Sequence, residues 1–205
     1  MEIASLSVKS LLHRRLFSFA LLSLLLASGL LRCMGDRIDP DAPSPVLFTV
    51  GSFSFQRPQG WVWVIPQSAI RKAELSIPSQ AQGEDPVTVT FFCFGRGEGG
   101  SVQANVNRWT AQFTNSDGSP SKAVTESKVF DSVPVTIVTA TGFFSGGMGQ
   151  STSVKPLHAG LRGAILQSPQ GDVYVKMTGP ETLVRKSSQS FDDMIREACS
   201  GINPR

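Results

Sequence analysis

The apolar positions of this chain change period as it is read, and the changes mark out its elements. Phe48 to Phe55 alternates, with Phe48, Val50, Ser52 and Ser54 on one side and Phe53 and Phe55 on the other. Arg57-Pro58-Gln59-Gly60 reads as a turn, and Trp61 to Ile65 is a short apolar run. Ala69 to Ile77 is a strand stopped by Pro78. After the polar loop Gln80 to Asp85, Val87 to Phe94 alternates again, with Val87, Val89, Phe91 and Cys93 on one face. Val102, Val106, Trp109 and Phe113 then fall at i, i+4, i+7 and i+11, the stripe of an amphipathic helix with Trp109 in the core. Lys122 to Asp131 and Pro134 to Phe144 read as a hairpin. Leu161 to Ser168 and Val173 to Thr178 flank the turn Pro169-Gln170-Gly171-Asp172. A last helix carries Phe191, Ile195 and Ala198, with Ser190 as its cap, Asp192-Asp193 in its first turn and Gly201 behind it; an earlier helical turn can begin at Pro180.

Strands that follow one another directly favour antiparallel pairing. The expected fold class is α+β: a two-layer sandwich of a mostly antiparallel sheet of about six to eight strands, with two helices on one face.

The N-terminal stretch has a different character. Lys9, His13, Arg14 and Arg15 precede an uncharged, leucine-rich run of 16 residues, Leu16 to Leu31, and Ala27-Ser28-Gly29 offers a small-x-small cleavage site. As a helix the run spans about 24 Å, short of a hydrocarbon core of about 30 Å. Residues 1–29 are therefore expected to be a signal peptide, or a signal anchor if uncut, with 30–45 a linker and 46–205 the domain. Cys33 follows Arg32, which does not suit a lipoprotein signal. Export puts the domain outside the cytoplasm, periplasmic or secreted, with the membrane as a partner only through an uncleaved leader.

Charge sharpens that picture. Of 19 basic and 16 acidic side chains, three basic and one acidic lie in residues 1–29, leaving 16 and 15. The body is nearly neutral, so no nucleic-acid partner is expected.

The run Phe53-Ser54-Phe55-Gln56-Arg57-Pro58-Gln59-Gly60-Trp61 resembles the opening of PsbP-like and DcrB-like domains: an aromatic strand, a proline turn and a Gly-Trp pair. The later order of strands, helix, strand pair, hairpin and C-terminal helix is similar to theirs over roughly residues 46 to 200. The resemblance implies an antiparallel sheet flanked by helices and an accessory or binding role, and it carries no catalytic residue onto this chain.

Candidate chemistry is sparse. Gly95-Arg96-Gly97-Glu98-Gly99-Gly100 fits G-x-G-x-x-G, but Glu98 would stand beside the phosphates and no second parallel strand follows the helix on time, so a tight strand-to-helix turn accounts for it. Gly142 to Ser151 is glycine-dense but lacks the Gly-Lys-Ser/Thr core of a phosphate loop. Its Phe143, Phe144 and Met148, with the nearby His158, make a candidate binding loop. His158 is the one histidine past the leader, and a Cys-His nucleophile would need Cys93 or Cys199 beside it, with Cys93 and His158 the pair taken for an exported enzyme. Cys93 and Cys199 are a candidate disulfide in an oxidising compartment. There is no metal-ligand spacing. No catalytic residue, metal or cofactor is assigned. The expectation is a non-catalytic envelope domain that binds or supports a partner, an unidentified protein or a small apolar ligand; the alternatives are an exported enzyme using Cys93 and His158 and a carrier of a small apolar ligand.

Overall fold

A computed structural model of the chain describes residues 44–145 and 158–201, all within one compact unit, Gly35–Arg205. The described elements are β1 (Leu47–Val50), β2 (Phe53–Gln56), β3 (Val62–Val64), β4 (Arg71–Ile77), β5 (Val87–Cys93), α1 (Val102–Thr110), β6 (Phe113–Thr114), β7 (Val124–Phe130), β8 (Val133–Phe144), β9 (His158–Leu166), β10 (Val173–Pro180) and α2 (Glu181–Ser200). Eight strands form one antiparallel sheet in the order β3-β4-β5-β10-β9-β8-β6, and β7 pairs with β8 beside β6. The α+β class, the antiparallel sheet of about eight strands and the two helices agree with the sequence.

The segment expected to be one strand, Phe48 to Phe55, is two. β1 and β2 pair with each other through Phe48↔Phe55 and Val50↔Phe53. The chain reverses at Gly51-Ser52, where Gly51 has φ +59, a conformation that favours glycine. A two-residue turn restores the side-chain phase. Phe48, Val50, Phe53 and Phe55 are all buried together instead of being divided between faces. Phe48 and Phe55 then meet Phe91 of β5 at ring-centroid distances of 5.1 Å each, both edge-on. Arg57 holds the hairpin's entry: its backbone N–H donates to Val46 O at 2.7 Å, and its guanidinium donates to Pro45 O at 3.1 Å and Trp61 O at 2.6 Å.

The two helices lie on opposite faces of the sheet, not on one. β9 fixes this. A Cβ added at Gly163 would stand 2.4 Å from the Trp109 ring of α1, and one added at Gly160 would stand 3.1 Å from Val184 Cβ of α2. Residues 160 and 163 point to opposite sides of a strand. The cause is legible in β9 and β10, where Ala164-Ile165-Leu166 and Val173-Tyr174-Val175 are consecutive buried residues. A strand that is apolar on both sides needs a cover on both. On the first face the β1–β2 hairpin and α2 cover Val89, Phe91, Val175 and Met177. On the second, Val106 and Trp109 of α1 pack with Phe113, Val138, Leu161, Ile165 and Tyr174. Trp109 is 5 % exposed, as its place in the helical stripe requires.

Local signals explain the helix ends. The Ser101 hydroxyl caps α1 by accepting from Ala104 N at 3.2 Å. The expected glycine turn precedes it: Gly97 and Gly100 have φ near +79 and +77, and Gly99 lies against the Tyr174 hydroxyl. The last helix is longer than its Ser190 cap implies. α2 begins at Glu181, straight after Pro180, because Val184 and Ser187 continue the buried stripe of Phe191, Met194, Ile195 and Ala198 upstream. Ser190 is therefore an exposed interior residue. Asp192 and Asp193 sit mid-helix rather than in its first turn. Asp192 receives a two-pronged hydrogen bond from Arg162 of β9, with Nε to Oδ1 at 2.7 Å. Arg162 also donates to Thr139 Oγ1 at 2.9 Å, so a guanidinium on the α2 face is satisfied by three acceptors.

Candidate functional site

The residues singled out in the sequence do not converge on one site. His158 and Phe143 are register partners at the end of the β8–β9 pair, with ring centroids 5.4 Å apart. His158 Nδ1 lies 2.9 Å from a carboxylate oxygen of Glu181, the first residue of α2. Phe144 points to the other face and packs on Phe113 at 5.1 Å. Met148, the leader, Cys33 and the linker up to residue 43 lie outside the described residues.

Cys93 and His158 are far apart. Cys93 pairs with Val173, which pairs with Leu166, at the opposite end of β9 from His158. Eight residues of strand separate the two levels, about 26 Å at ~3.3 Å per residue. Proton transfer between thiol and imidazole is out of reach, which removes the Cys-His nucleophile.

The two cysteines are both buried and are not joined to each other. Cys93 Sγ–H donates to Phe94 O at 3.8 Å and packs under Gly51 of the hairpin turn. Cys199 lies at the far end of α2, beside the β7–β8 turn, where Ser200 Oγ donates to Asp131 at 2.6 Å. β8 is separated from β5 by β9 and β10, so three strand spacings of ~4.8 Å, about 14 Å, lie between the two positions. A disulfide needs Cα atoms within about 7 Å. The expected bridge fails because α2 ends beside the β7–β8 turn, not over β5. Burial, with the Asp131 carboxylate adding to it, pushes the Cys199 thiol up to about 11.

Two features were not singled out in the sequence. The first is Lys176 of β10. Its neighbours Val175 and Met177 point into the α2 side, while Lys176 lies on the α1 side between Thr90 and Gly163. Its ammonium donates to Gln112 Oε1, in the link between α1 and β6, and stands 5.5 Å from the centre of the Phe144 ring. Among the described residues it has no carboxylate partner. Burial, with Arg108 and Arg71 adding like charge, lowers it to about 8. A single charged residue inside the otherwise apolar run Val173 to Met177 was the available signal.

The second is a cleft of about 550 Å³ on the α2 side. The Gln59-Gly60-Trp61 turn forms one wall, the β4–β5 connection from Pro78 to Glu84 a second, and the first three turns of α2 the third. Trp61, Ile77 and Leu183 supply apolar surface. Ser79, Gln80, Glu84, Thr182, Lys186 and Ser190 supply donors and acceptors, and Ser79 Oγ–H is held by the Glu84 carboxylate. The cleft thus combines apolar surface with hydrogen-bonding groups of both kinds and one charge of each sign, a lining suited to holding a partner group. The Gly60-Trp61 pair that carries the family resemblance forms part of this wall; the α2 residues were missed because that half of the helix was not assigned.

Among the described residues, no group of three His, Cys, Asp or Glu stands close enough together to hold a metal ion, and no helix is long and apolar enough to cross a membrane. No protein-family model matches the chain, and no curated protein matches it. Among solved structures it is similar to PA94 from Pseudomonas aeruginosa, a protein of unknown function, with TM-score 0.44 and 10% sequence identity over 78% of this chain and 96% of that one. It is also similar to the solution structure of cyanobacterial PsbP (CyanoP) from Synechocystis, with TM-score 0.41 and 10% identity over 79% of this chain and 95% of that one. The resemblance to PsbP-like domains is one of fold.

Proposed function

We propose that this chain is an exported, non-catalytic domain that binds a partner through the cleft between α2, the Gln59–Trp61 turn and the Pro78–Glu84 connection. The observation that carries the reading is the cleft itself, an open concavity of about 550 Å³ whose lining joins apolar surface to donors, acceptors and one charge of each sign. The basic, leucine-rich leader with its Ala27-Ser28-Gly29 site supports export. The eight residues of strand, about 26 Å, between the levels of Cys93 and His158 argue against the competing Cys-His enzyme.

The test is capture from the protein's own envelope extract, using the chain in the form in which it accumulates in cells. Two cleft variants, Leu183→Asp and Lys186→Glu, serve as comparisons. A species captured by the parent and lost with both variants supports the reading, provided that both keep the parent's circular dichroism. Equal capture by all three places binding elsewhere. Native mass spectrometry of the same preparation separates a protein partner from a small apolar ligand. N-terminal sequencing tests export: a chain beginning at Met1 in the cytoplasm overturns it.

A further inference from the structure

Among the described residues, the sheet has one long exposed edge. β7 pairs with β8 on one side only, and its seven residues are mostly exposed, with Val124 60% and Val129 68% exposed. Such an edge presents a row of unused backbone donors and acceptors.

Which groups point outward follows from the hairpin. β7 and β8 are joined by Asp131-Ser132, both with positive φ (45 and 71), the two-residue turn that closes on a hydrogen-bonded pair. That pair is Phe130↔Val133, so Phe130, Lys128, Glu126 and Val124 bond to β8. The next strand gives the same parity: Pro134 O points the other way, accepting from Gln167 N at 3.0 Å. The N–H and C=O groups of Thr125, Ser127 and Val129 therefore face out of the sheet.

We infer that β7 is the docking edge for a second copy of this chain, which adds its own β7 antiparallel about a two-fold axis through Ser127. In this register Ser127 faces Ser127 of the partner subunit, and Thr125 and Val129 face each other across the axis. These three narrow pairs supply about six backbone hydrogen bonds. On the α2 side, Glu126 faces Lys128 and Val124 faces Phe130. Glu126 and Lys128 already form an ion pair at 2.9 Å within one chain, so pairing makes an alternating square of four charges.

The charges also select the register. Sliding the axis to Glu126 sets carboxylate against carboxylate, and sliding it to Lys128 sets ammonium against ammonium; like charges directly opposite are destabilising. Charged edge residues usually guard against indiscriminate pairing. Here their order, Glu-Ser-Lys, admits one self-pairing and penalises its neighbours. A single strand pair is smaller than the ~1,600 Å² of a standard interface, so the dimer is concentration-dependent.

The experiment is sedimentation equilibrium over a wide concentration series, with the chain as it accumulates in cells. The parent is expected to shift from the mass of one chain toward that of two. Ser127→Pro removes an outward N–H and leaves the β7–β8 ladder intact; it should weaken dimerisation at least about tenfold. Glu126→Lys and Lys128→Glu should each be monomeric alone, and a mixture of the two should dimerise again, because each Lys then faces a Glu. If Ser127→Pro fails to fold, the charge pair still decides. A parent that stays monomeric to its solubility limit overturns the proposal. So does dimerisation that is unchanged in both charge variants, or variants that stay monomeric when mixed.

Discussion

The two faces of the central sheet are made by the same strands and meet different fates. On the first face, the β1–β2 hairpin and α2 cover β5, β10, β9 and β8, and the residues beneath are mostly aromatic or aliphatic, with Arg162 and Thr139 satisfied at the Asp192 ion pair. On the second, among the described residues, the α1 core lies over β8, β9 and β10 and reaches Phe92 of β5. The rest, over β3, β4 and the remainder of β5, carries Glu74, Ser76, Thr88 and Thr90 in register with Lys176 and Thr178. Alternation alone places a residue on one side; a cover decides whether that side becomes a core. Lys176 stands at the boundary, where α1 ends and the open half begins, and its long stem lets the charge reach Gln112 at the rim.

If both covers are true cores, emptying either should cost the same large amount. Phe55→Ala on the hairpin side and Trp109→Ala on the α1 side should each destabilise by about 3–5 kcal/mol, read from chemical denaturation. A cost below about 1 kcal/mol for Trp109→Ala would make α1 a loose flap and break the symmetry.

Close approach sharpens it further. Gly163→Ala drives a Cβ into the Trp109 ring, held between Gly163 and Tyr174, and should cost about 1–3 kcal/mol of overpacking. Denaturant midpoints for this variant and for Trp109→Ala should not add, because both act on one contact.

The boundary charge gives a pH signature. A lysine whose native value is lowered to about 8 from 10.5 opposes folding while it is charged in both states, at and below pH 8. As pH rises from about 8 to 10.5 the native state releases its proton before the unfolded state does, so this group's penalty is relieved across that window. Lys176→Met should stabilise by about 1–2 kcal/mol at pH 7, less than the full linkage value because Gln112 loses its donor. The difference from the parent should shrink between pH 8 and 10.5. A difference independent of pH would mean that Lys176 is solvated.

The smallest effect belongs to the open half. Thr88→Ser should stay within about 0.5 kcal/mol of the parent in a thermal melt, as expected away from any cover.

Much of this was readable from periodicity. Val87 to Phe94, the stripe Val102-Val106-Trp109 and the β7–β8 hairpin appear where their patterns put them, because their neighbours in sequence are also their neighbours in space. The failures have one physical source. Gly51-Ser52 resets the side-chain phase inside what reads as an unbroken strand. The faces of α1 and α2 depend on which side of β9 each glycine opens, and a single strand's pattern does not report who covers it. The cleft is built from three segments distant in sequence, so its residues carry no common spacing. Lys176 stood out only as a charge in an apolar run.

The junction of β10 and α2 has a consequence for motion. Pro180 ends the strand and Glu181 begins the helix, with no loop between them. β10 lies inside the sheet, bonded to β5 on one side and β9 on the other. The first turns of α2 therefore have no slack: lifting them off the sheet pulls on a strand held along both edges. Amide hydrogens in Val184 to Ile195 should exchange only through global opening, at the same free energy as those of β10, while the C-terminal turn of α2 exchanges sooner. The wall of the cleft is thereby anchored to a strand held along both edges, so its position is set by the sheet.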